Sequence, residues 1–359
     1  MLDLSRVLAG PLCSMTLGDL GASVIKVERP DGGDETRGWG PPFDDRGESA
    51  YFLSVNRNKR SLAASLDRVE DVELVCSLAL EADVVIENFL PRSLARKSVD
   101  TASLMRQNNA LIWCSIRGYP DDHARPGYDF AVQAESGWMS VTGEPDGVPV
   151  KTAAALIDVL AGKDAAIAIM AALVGSRDKS VAERTLTITL GSSAAAALVN
   201  VAQNALVSGE DAKRWGNAHA NLVPYQLFEA ADRPLVIAVG SDGQWQALSY
   251  VLESTFLAQD ETLRTNAGRV VNRTRCVRAV QELLRGRTAS EWKERCERAG
   301  VPVGLVRTVR EALASMESSP LTGMPSSVGG AVFRRPPLLG EHSDEIRRHG
   351  WLEPGAVEG

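Results

Sequence analysis

Several features that define large classes of proteins are scarce or absent in this sequence. The 359 residues include only four histidines and five cysteines, and neither a C-x-x-C nor an H-E-x-x-H motif occurs. We therefore expect reduced cysteines and no metal centre. The formal net charge is -7, so the chain lacks the basic excess that nucleic acid or an anionic membrane attracts. We expect neither as a partner.

Motifs of the common nucleotide-binding and hydrolase families are also missing. No G-x-x-x-x-G-K-[ST] loop, no G-x-G-x-x-G after a predicted strand and no G-x-S-x-G elbow is found. The apolar segment 153–174 contains Asp158, Lys163 and Asp164, which favours a buried core helix over a membrane span. No stretch resembles a signal peptide, and we expect a cytoplasmic protein.

The hydrophobic pattern alternates between strands and helices over the first 210 residues. Runs rich in Val and Ile predict buried strands, and the segments between them have the helical period. The predicted strands are 22–28, 82–89, 110–116 and 185–190, and the predicted helices are 66–81, 94–107 and 193–208. Such alternation indicates an α/β fold with a parallel sheet.

The pattern changes after residue 210, where a polar, turn-rich stretch begins. Two further strands, 234–240 and 301–306, and helices near 243–257, 273–286 and 289–299 follow it. We interpret residues 220–312 as a second, smaller α+β domain.

Basic residues cluster early in the chain, and several directly follow predicted strands. They are Arg29, Arg37, Arg57, Lys59, Arg60 and Arg92. The carboxyl edge of a parallel sheet is where α/β folds bind ligands. Any one of these residues is equally well explained as a solvated surface charge. Together with the segment ENFLP (87–91), the cluster favours an anionic ligand with several phosphates.

One acid, Asp158, lies near the start of the apolar segment 153–174. By itself it has two interpretations, a helix cap or a carboxylate with a chemical role.

A set of motifs along nearly the whole chain resembles family III CoA-transferases, the group of formyl-CoA transferase, carnitine CoA-transferase and 2-methylacyl-CoA racemase. In order they are DLSRVLAGP (3–11), DLGASVIKVERP (19–30), NRNKRSL (56–62), ADVVIENFLP (82–91), GYD (127–129), VQAESG (132–137), VTGEPDG (141–147), IDVLAG (157–162), GNAHANLVPYQ (216–226), VPVGLVRTV (301–309) and PPLLGEHSDEI (336–346).

The resemblance implies that Asp158, in IDVLAG, is the catalytic nucleophile. Its carboxylate would attack an acyl-CoA thioester, giving an aspartyl anhydride and then an aspartyl-CoA thioester that a carboxylic acid acceptor resolves. A helix N-terminus would favour the anion and offer free N–H groups to an oxyanion.

Position 128 separates the subfamilies, because the racemases carry a histidine there. Tyr128, followed by Asp129, is a poor base at neutral pH and indicates a transferase, with Asp129 and Gln133 in supporting roles. Two alternatives remain open: a 2-methylacyl-CoA racemase or epimerase, and a non-catalytic acyl-CoA-binding member of the family.

The resemblance also implies which residues bind the substrates. The CoA contacts would be made by Arg29, Lys59, Arg60, Asn88 and Phe89. His123 matches a transferase-type segment, without a defined role. Gly216, Asn217 and His219 lie where the family has an acceptor loop that shields the anhydride from water. This type of loop favours a small dicarboxylic acid as acceptor and a succinyl-CoA-type donor.

The fold implied by the resemblance is an interlocked homodimer. A large Rossmann-like, CoA-binding domain would comprise 1–210 and 315–359, and the small domain 220–312, with linkers at 211–219 and 313–320. The active site would lie between the large domain of one chain and the small domain of the other.

Overall fold

Six short strands form a parallel sheet in the computed structural model, which describes residues 1–175, 179–315 and 322–352. They are β1 (Leu2–Asp3), β2 (Ile25–Glu28), β3 (Arg60–Ala63), β4 (Val84–Glu87), β5 (Ile112–Arg117) and β6 (Thr185–Thr189). Their order is β3-β2-β1-β4-β5-β6, and every pair is parallel. The order reverses at β1, whose neighbours are β2 and β4. Such a reversal leaves a crevice at the carboxyl ends of the strands.

Helices cover both faces of this sheet. Up to residue 211 they are α1 (Ala9–Asp19), α2 (Ala50–Ser54), α3 (Val69–Glu81), α4 (Ser93–Arg96), α5 (Thr101–Gln107), α6 (Asp129–Glu135), α7 (Trp138–Val141), α8 (Leu156–Val174), α9 (Val181–Arg184), α10 (Leu190–Ala197) and α11 (Val199–Ser208). Two apolar clusters result, one on each face. The first joins α1, α8 and α10 to the sheet, and the second joins α3 and α5. This is the layered α/β fold expected from the alternating pattern.

The second compact unit comprises Ser140–Val150 and Ala212–Ser318. Its strands, β7 (Tyr225–Glu229), β8 (Pro234–Ala238) and β9 (Val303–Leu305), form an antiparallel sheet in that order. Its helices are α12 (Asp242–Val251), α13 (Thr255–Gln259), α14 (Asn266–Val271), α15 (Arg273–Leu284), α16 (Ala289–Arg298) and α17 (Val309–Ala314). Helix α18 (Ser343–His349) and the other described residues of the C-terminal segment belong to the first unit.

The segment Ser140–Val150 groups with the second unit, although the sequence boundaries place it in the large domain. Arg214 explains this grouping, because its guanidinium donates hydrogen bonds to the carbonyls of Ser140, Glu144 and Gly147. Most of the linker predicted at 313–320 lies outside the described residues.

Two predicted helices are interrupted. The helix predicted at 94–107 is divided into α4 and α5, since Ser98 has a φ of 62° and Asp100 caps Ser103. The helix predicted at 193–208 bends by 73° between α10 and α11. Over the described residues, no single helix is long and apolar enough to cross a bilayer; α10 and α11 together have that length and composition, despite the bend.

Strand β3 is absent from the sequence prediction, because Arg60 and Ser61 interrupt the apolar pattern. Both residues are buried in the structure, where Arg60 donates to Glu345 and Ser61 donates to Glu28.

Candidate active site

Asp158 lies on a cavity of about 250 Å³ at the carboxyl edge of the sheet. The segments that follow three strands form its walls: 6–9 after β1, 88–90 after β4 and 116–118 at the end of β5. The loop 123–128 closes the side and includes His123, Arg125 and Tyr128. The cavity therefore occupies the crevice that the strand order predicts.

Close packing of two helices positions Asp158. It is the third residue of α8, and α8 packs against α1 through a stripe of small residues. A Cβ at Gly162, one turn further along, would lie 2.6 Å from the carbonyl oxygen of Ala9. The small residues of the segment 153–174 thus bring the first turn of α8 to the crevice.

Asp129 caps the first turn of α8 from another part of the chain. Its Oδ1 accepts hydrogen bonds from the backbone N–H groups of Ile157 (2.7 Å) and Asp158 (3.2 Å). Its Oδ2 accepts one from Gln133 Nε2 at 2.6 Å, and Gln133 Oε1 accepts one from the N–H of Thr152 at 2.9 Å. The expectation that these N–H groups are free for an oxyanion is therefore wrong for two of them.

The electrostatics of Asp158 also differ from the sequence expectation. Burial, and then the negative charge of Asp129, raise its pKa from 3.8 to about 7. A helix N-terminus alone would have lowered the pKa. Here the half-buried side chain and the capping carboxylate outweigh that effect.

Tyr51 is a neighbour of Asp158 that lies outside all of the sequence motifs. Burial, and then the charges of Asp158, Asp129 and Asp34, raise its pKa to about 12, so its phenol stays protonated at neutral pH. Its ring packs edge-on against Trp39, with 5.1 Å between the centroids. No spacing in the sequence points to Tyr51, because α2 comes close to α8 only in the fold.

A buried charge network holds the loop after β1. Lys26, fully buried, pairs with Asp34 at 3.0 Å and donates to the carbonyl of Ser5 at 2.9 Å. Asp34 also accepts the N–H of Val7, whose φ of 71° is unusual for a β-branched residue. Asn88 bonds both the N–H and the carbonyl of Arg6, at 3.0 and 2.8 Å. Together these contacts fix the backbone from which the Arg6 side chain reaches the cavity.

A second cavity, of about 390 Å³, lies beside the first at the same sheet edge. Arg29 and Lys97 line it, and Arg6 and Phe89 line both cavities. Arg29 is exposed, and its Nε donates to the carbonyl of Gly33 at 3.0 Å. The structure thus brings Arg29, Asn88 and Phe89 together with Asp158 around two adjoining cavities.

Lys59 lies elsewhere. It is fully buried, and Nζ donates to Asp3, to the carbonyl of Pro11 and to Asn56 at 2.9 to 3.1 Å. Burial lowers its pKa to about 8, although Asp3 opposes the change. Lys59 lines neither of the two cavities. The resemblance implies that Lys59 contacts CoA, but its ammonium is held inside the protein, away from both cavities.

Arg60 also has other partners. It is buried, pairs with Glu345 at 2.9 Å and donates to the carbonyl of Trp351 at 2.8 Å. It lines a separate cavity at the amino edge of β2 and β3. The strand places Arg60 opposite the crevice, whereas the sequence pattern grouped it with the ligand-binding arginines.

The predicted acceptor-loop residues belong to the second compact unit. Gly216 has a φ of 58°, and Asn217 is exposed. His219 Nδ1 accepts the N–H of Asn221 at 3.0 Å. Arg273 donates to the carbonyls of His219 and Ala220, at 3.0 and 2.5 Å, and so holds the loop.

The side chains around Asp158 give the cavity a mixed charge. Arg6, Arg117 and Arg125 line it together with the acids Glu35 and Asp158. Within the described ranges, no cluster of three His, Cys, Asp or Glu side chains is placed to hold a metal. The fold and this site together define an α/β enzyme that places a carboxylate in one cavity beside a second, larger cavity lined by Arg29 and Lys97 and by the acids Glu28, Asp34 and Asp67.

Residues 1–342 match the model of CoA-transferase family III, and the chain belongs to that family. It is a CoA-transferase, as the motifs in the sequence predict. The succinyl-CoA:glutarate CoA-transferase of Mus musculus is 38% identical over 382 residues, covering 100% of this chain and 87% of that protein. The succinate–glutarate CoA-transferase of Agrobacterium fabrum is 37% identical, covering 96% and 93%.

A solved structure supports the fold. A CAIB/BAIF family protein from Brucella suis superposes with a TM-score of 0.84 at 39% identity, covering 97% of each chain. The mixed α/β fold with a parallel sheet is thereby confirmed.

The raised pKa of Asp158 predicts a pH-dependent effect on stability. The folded state holds the proton more tightly than the unfolded chain, so ionising Asp158 costs folding free energy between about pH 4 and pH 7. Asp158→Asn carries no charge at any pH. We expect its melting temperature to match the wild type near pH 4 and to exceed it by a few degrees above pH 7.

Thermal unfolding of both proteins across this range tests the prediction. The exposed Asp146→Asn serves as the control for removing a surface carboxylate. A gain in melting temperature that shrinks as the pH rises would contradict the assignment.

Proposed function

We propose that this enzyme transfers CoA from a succinyl-CoA-type donor to a small dicarboxylic acid, with Asp158 as the covalent nucleophile. The observation that carries the proposal is the half-buried Asp158, held by Asp129 in a cavity next to a larger one that Arg29 and Lys97 line. The name of the Mus musculus relative contains succinyl-CoA and glutarate, and that of the Agrobacterium fabrum relative contains succinate and glutarate. Both names support this choice of substrates.

The two cavities suggest how CoA binds. The nucleotide would occupy the larger cavity, where Arg29, and Lys97 on release from its exposed partner Asp67, would face its phosphates. The pantetheine arm would pass Arg6 and Phe89, the two side chains common to both cavities. This path brings the thioester to Asp158. Lys59 and Arg60 would support the fold, and Arg6 would take the place of the contacts they were expected to make.

The chemistry proceeds in four displacements. The Asp158 carboxylate attacks the thioester carbonyl, forming an acyl-aspartyl anhydride and releasing CoA thiolate. The thiolate attacks the aspartyl carbonyl, giving aspartyl-CoA and the free donor acid. The acceptor carboxylate attacks aspartyl-CoA, forming a second anhydride and releasing the thiolate again. The thiolate attacks the acceptor carbonyl, giving the new acyl-CoA and regenerating Asp158. Each intermediate keeps the acyl group activated, so no external energy source is needed.

The environment of Asp158 suits this role. A carboxylate with a raised pKa has little solvation to lose and is more basic, and both properties favour attack on a carbonyl. Asp129 and Gln133 would act as positioning residues, because they hold the first turn of α8. Tyr128, which is 63% exposed on the cavity wall, would contact the substrate. His219, on a loop that Arg273 holds, would bind the acceptor carboxylate.

We also propose that two copies form an interlocked homodimer, each with a Rossmann-like large domain built from both chain ends. Helix α11 supports the idea, because none of its residues is buried and Val199, Leu206 and Val207 are each more than two-thirds exposed. A solution mass near twice the chain mass of 38.5 kDa is expected from light scattering. A monomeric mass at micromolar concentration would contradict it.

Trapping the intermediate tests the proposed function. We expect succinyl-CoA, added without acceptor, to leave an aspartyl-CoA or anhydride that hydroxylamine converts to a hydroxamate on Asp158. Peptide mass spectrometry locates the modification. Asp158→Asn should show none, and Asp164→Asn, an acid on the same helix, should keep it. A hydroxamate on another residue, or none with any acyl-CoA that binds, would contradict the proposal.

A further inference from the structure

Arg125 differs from the other arginines of the Asp158 cavity in how its charge is engaged. Both terminal nitrogens of Arg117 bond Glu87, at 2.7 and 3.2 Å, and its side chain is only 13% exposed. Arg6 pairs with Glu35 at 2.9 Å, and Glu35 also lines the cavity, so this pair contributes little net charge to it.

The acid that pairs with Arg125 lies outside the cavity lining. Glu135 accepts one hydrogen bond from the Arg125 guanidinium, and the two side chains are 45% and 48% exposed. An exposed pair of this kind contributes little free energy, so a ligand can compete for the guanidinium. Among the described residues, Glu135 is the only hydrogen-bond acceptor of this guanidinium, and four of its five N–H groups have none.

The Arg125 side chain is nevertheless well positioned. Its guanidinium stacks 4.0 Å above the ring of Tyr119, which is buried. The loop that carries it is closed at its base by Gly118 and Gly127, where a Cβ on Gly118 would lie 2.6 Å from the Gly127 Cα. A stacked guanidinium on a pinned loop presents a fixed pair of donors, the arrangement that binds a carboxylate bidentately.

We propose that Arg125 is a specificity-determining residue that binds the distal carboxylate of the dicarboxylic substrate, the one that does not react. The inference rests on the proposed function, in which the reacting carboxylate meets Asp158 in the same cavity. Arg125 lines the cavity of Asp158 and not the larger one that contains Arg29 and Lys97. This separation assigns Arg125 to the acyl group, whereas the phosphates of CoA lie beside the other two basic residues.

The test compares glutarate with glutaramate, in which a neutral amide of the same size replaces the distal carboxylate. Succinyl-CoA is the donor for both, and kcat/KM is measured for each acceptor. In a double-displacement mechanism this quantity depends only on the acceptor half-reaction. We expect Arg125→Gln to lower kcat/KM for glutarate roughly 10- to 100-fold, the usual effect of losing a charged hydrogen bond, and to leave glutaramate largely unchanged.

Three variants accompany this measurement. Arg125→Lys keeps the charge without the planar fork and should retain part of the preference for glutarate. Glu135→Gln keeps Arg125 and should retain all of it. Arg106→Gln removes a charge from an exposed position on α5 that lines neither cavity. This variant should also keep the full preference for glutarate.

Several results would overturn the assignment. If Arg125→Gln lowers kcat/KM equally for glutarate and glutaramate, the ion pair has a structural role. The same conclusion follows if Glu135→Gln has the same effect as Arg125→Gln. If Arg125→Gln weakens the binding of free CoA and leaves the acceptor preference intact, Arg125 serves the phosphates. If the wild type forms the Asp158 adduct but does not prefer glutarate over glutaramate, this inference fails and the covalent mechanism stands. If no adduct and no transfer occur, the proposed function itself fails.

Discussion

The site depends on one contact, the carboxylate of Asp129 at the first turn of α8. This contact crosses 28 or 29 positions of the chain and joins the start of α6 to the helix that carries Asp158. It satisfies two N–H groups that the helix cannot satisfy itself, and thereby fixes the backbone of the nucleophile. It also places a second negative charge beside Asp158, which contributes to the raised pKa. One carboxylate thus both positions and tunes the other.

The charged residues around this pair form two groups, one buried in the interior and one lining the cavity. Inside, the buried pair of Lys26 and Asp34 holds the loop after β1 in its strained conformation, and Lys59 pairs separately with Asp3. At the cavity, Arg6 and Arg125 extend from loops that the network and a pair of glycines have fixed. Buried charges of this kind are costly unless each has a partner, and here Lys26 and Lys59 both do. The fixed loops allow a cavity formed mainly from loops to hold its shape.

Much of the fold could be predicted from the sequence, because the strands β2, β4, β5 and β6 and the helices α3 and α8 have clear apolar patterns. The breaks in the two interrupted helices could not be predicted, because they depend on individual positions such as Ser98 and not on the helical period of the apolar residues. The family motifs led to Asp158, Asp129 and Gln133, and the structure places these three side chains in one hydrogen-bonded cluster. The electrostatics did not follow from the motifs. The pKa of Asp158 depends on burial and on a distant carboxylate, and neither is visible in the spacing. For Lys59, the family motif implies a CoA contact, and the motif does not show that the side chain is fully buried.

An isotope experiment distinguishes covalent catalysis by Asp158 from direct attack of the acceptor on the donor thioester. The enzyme, in excess over succinyl-CoA, is given glutarate labelled with ¹⁸O in both carboxylates, and the products of a single turnover are analysed by mass spectrometry. If Asp158 is the nucleophile, the released succinate gains its oxygen from Asp158 and is unlabelled, while the Asp158 peptide gains one ¹⁸O. Labelled succinate in the first turnover, with an unlabelled Asp158 peptide, would show direct attack and would contradict the covalent role of Asp158.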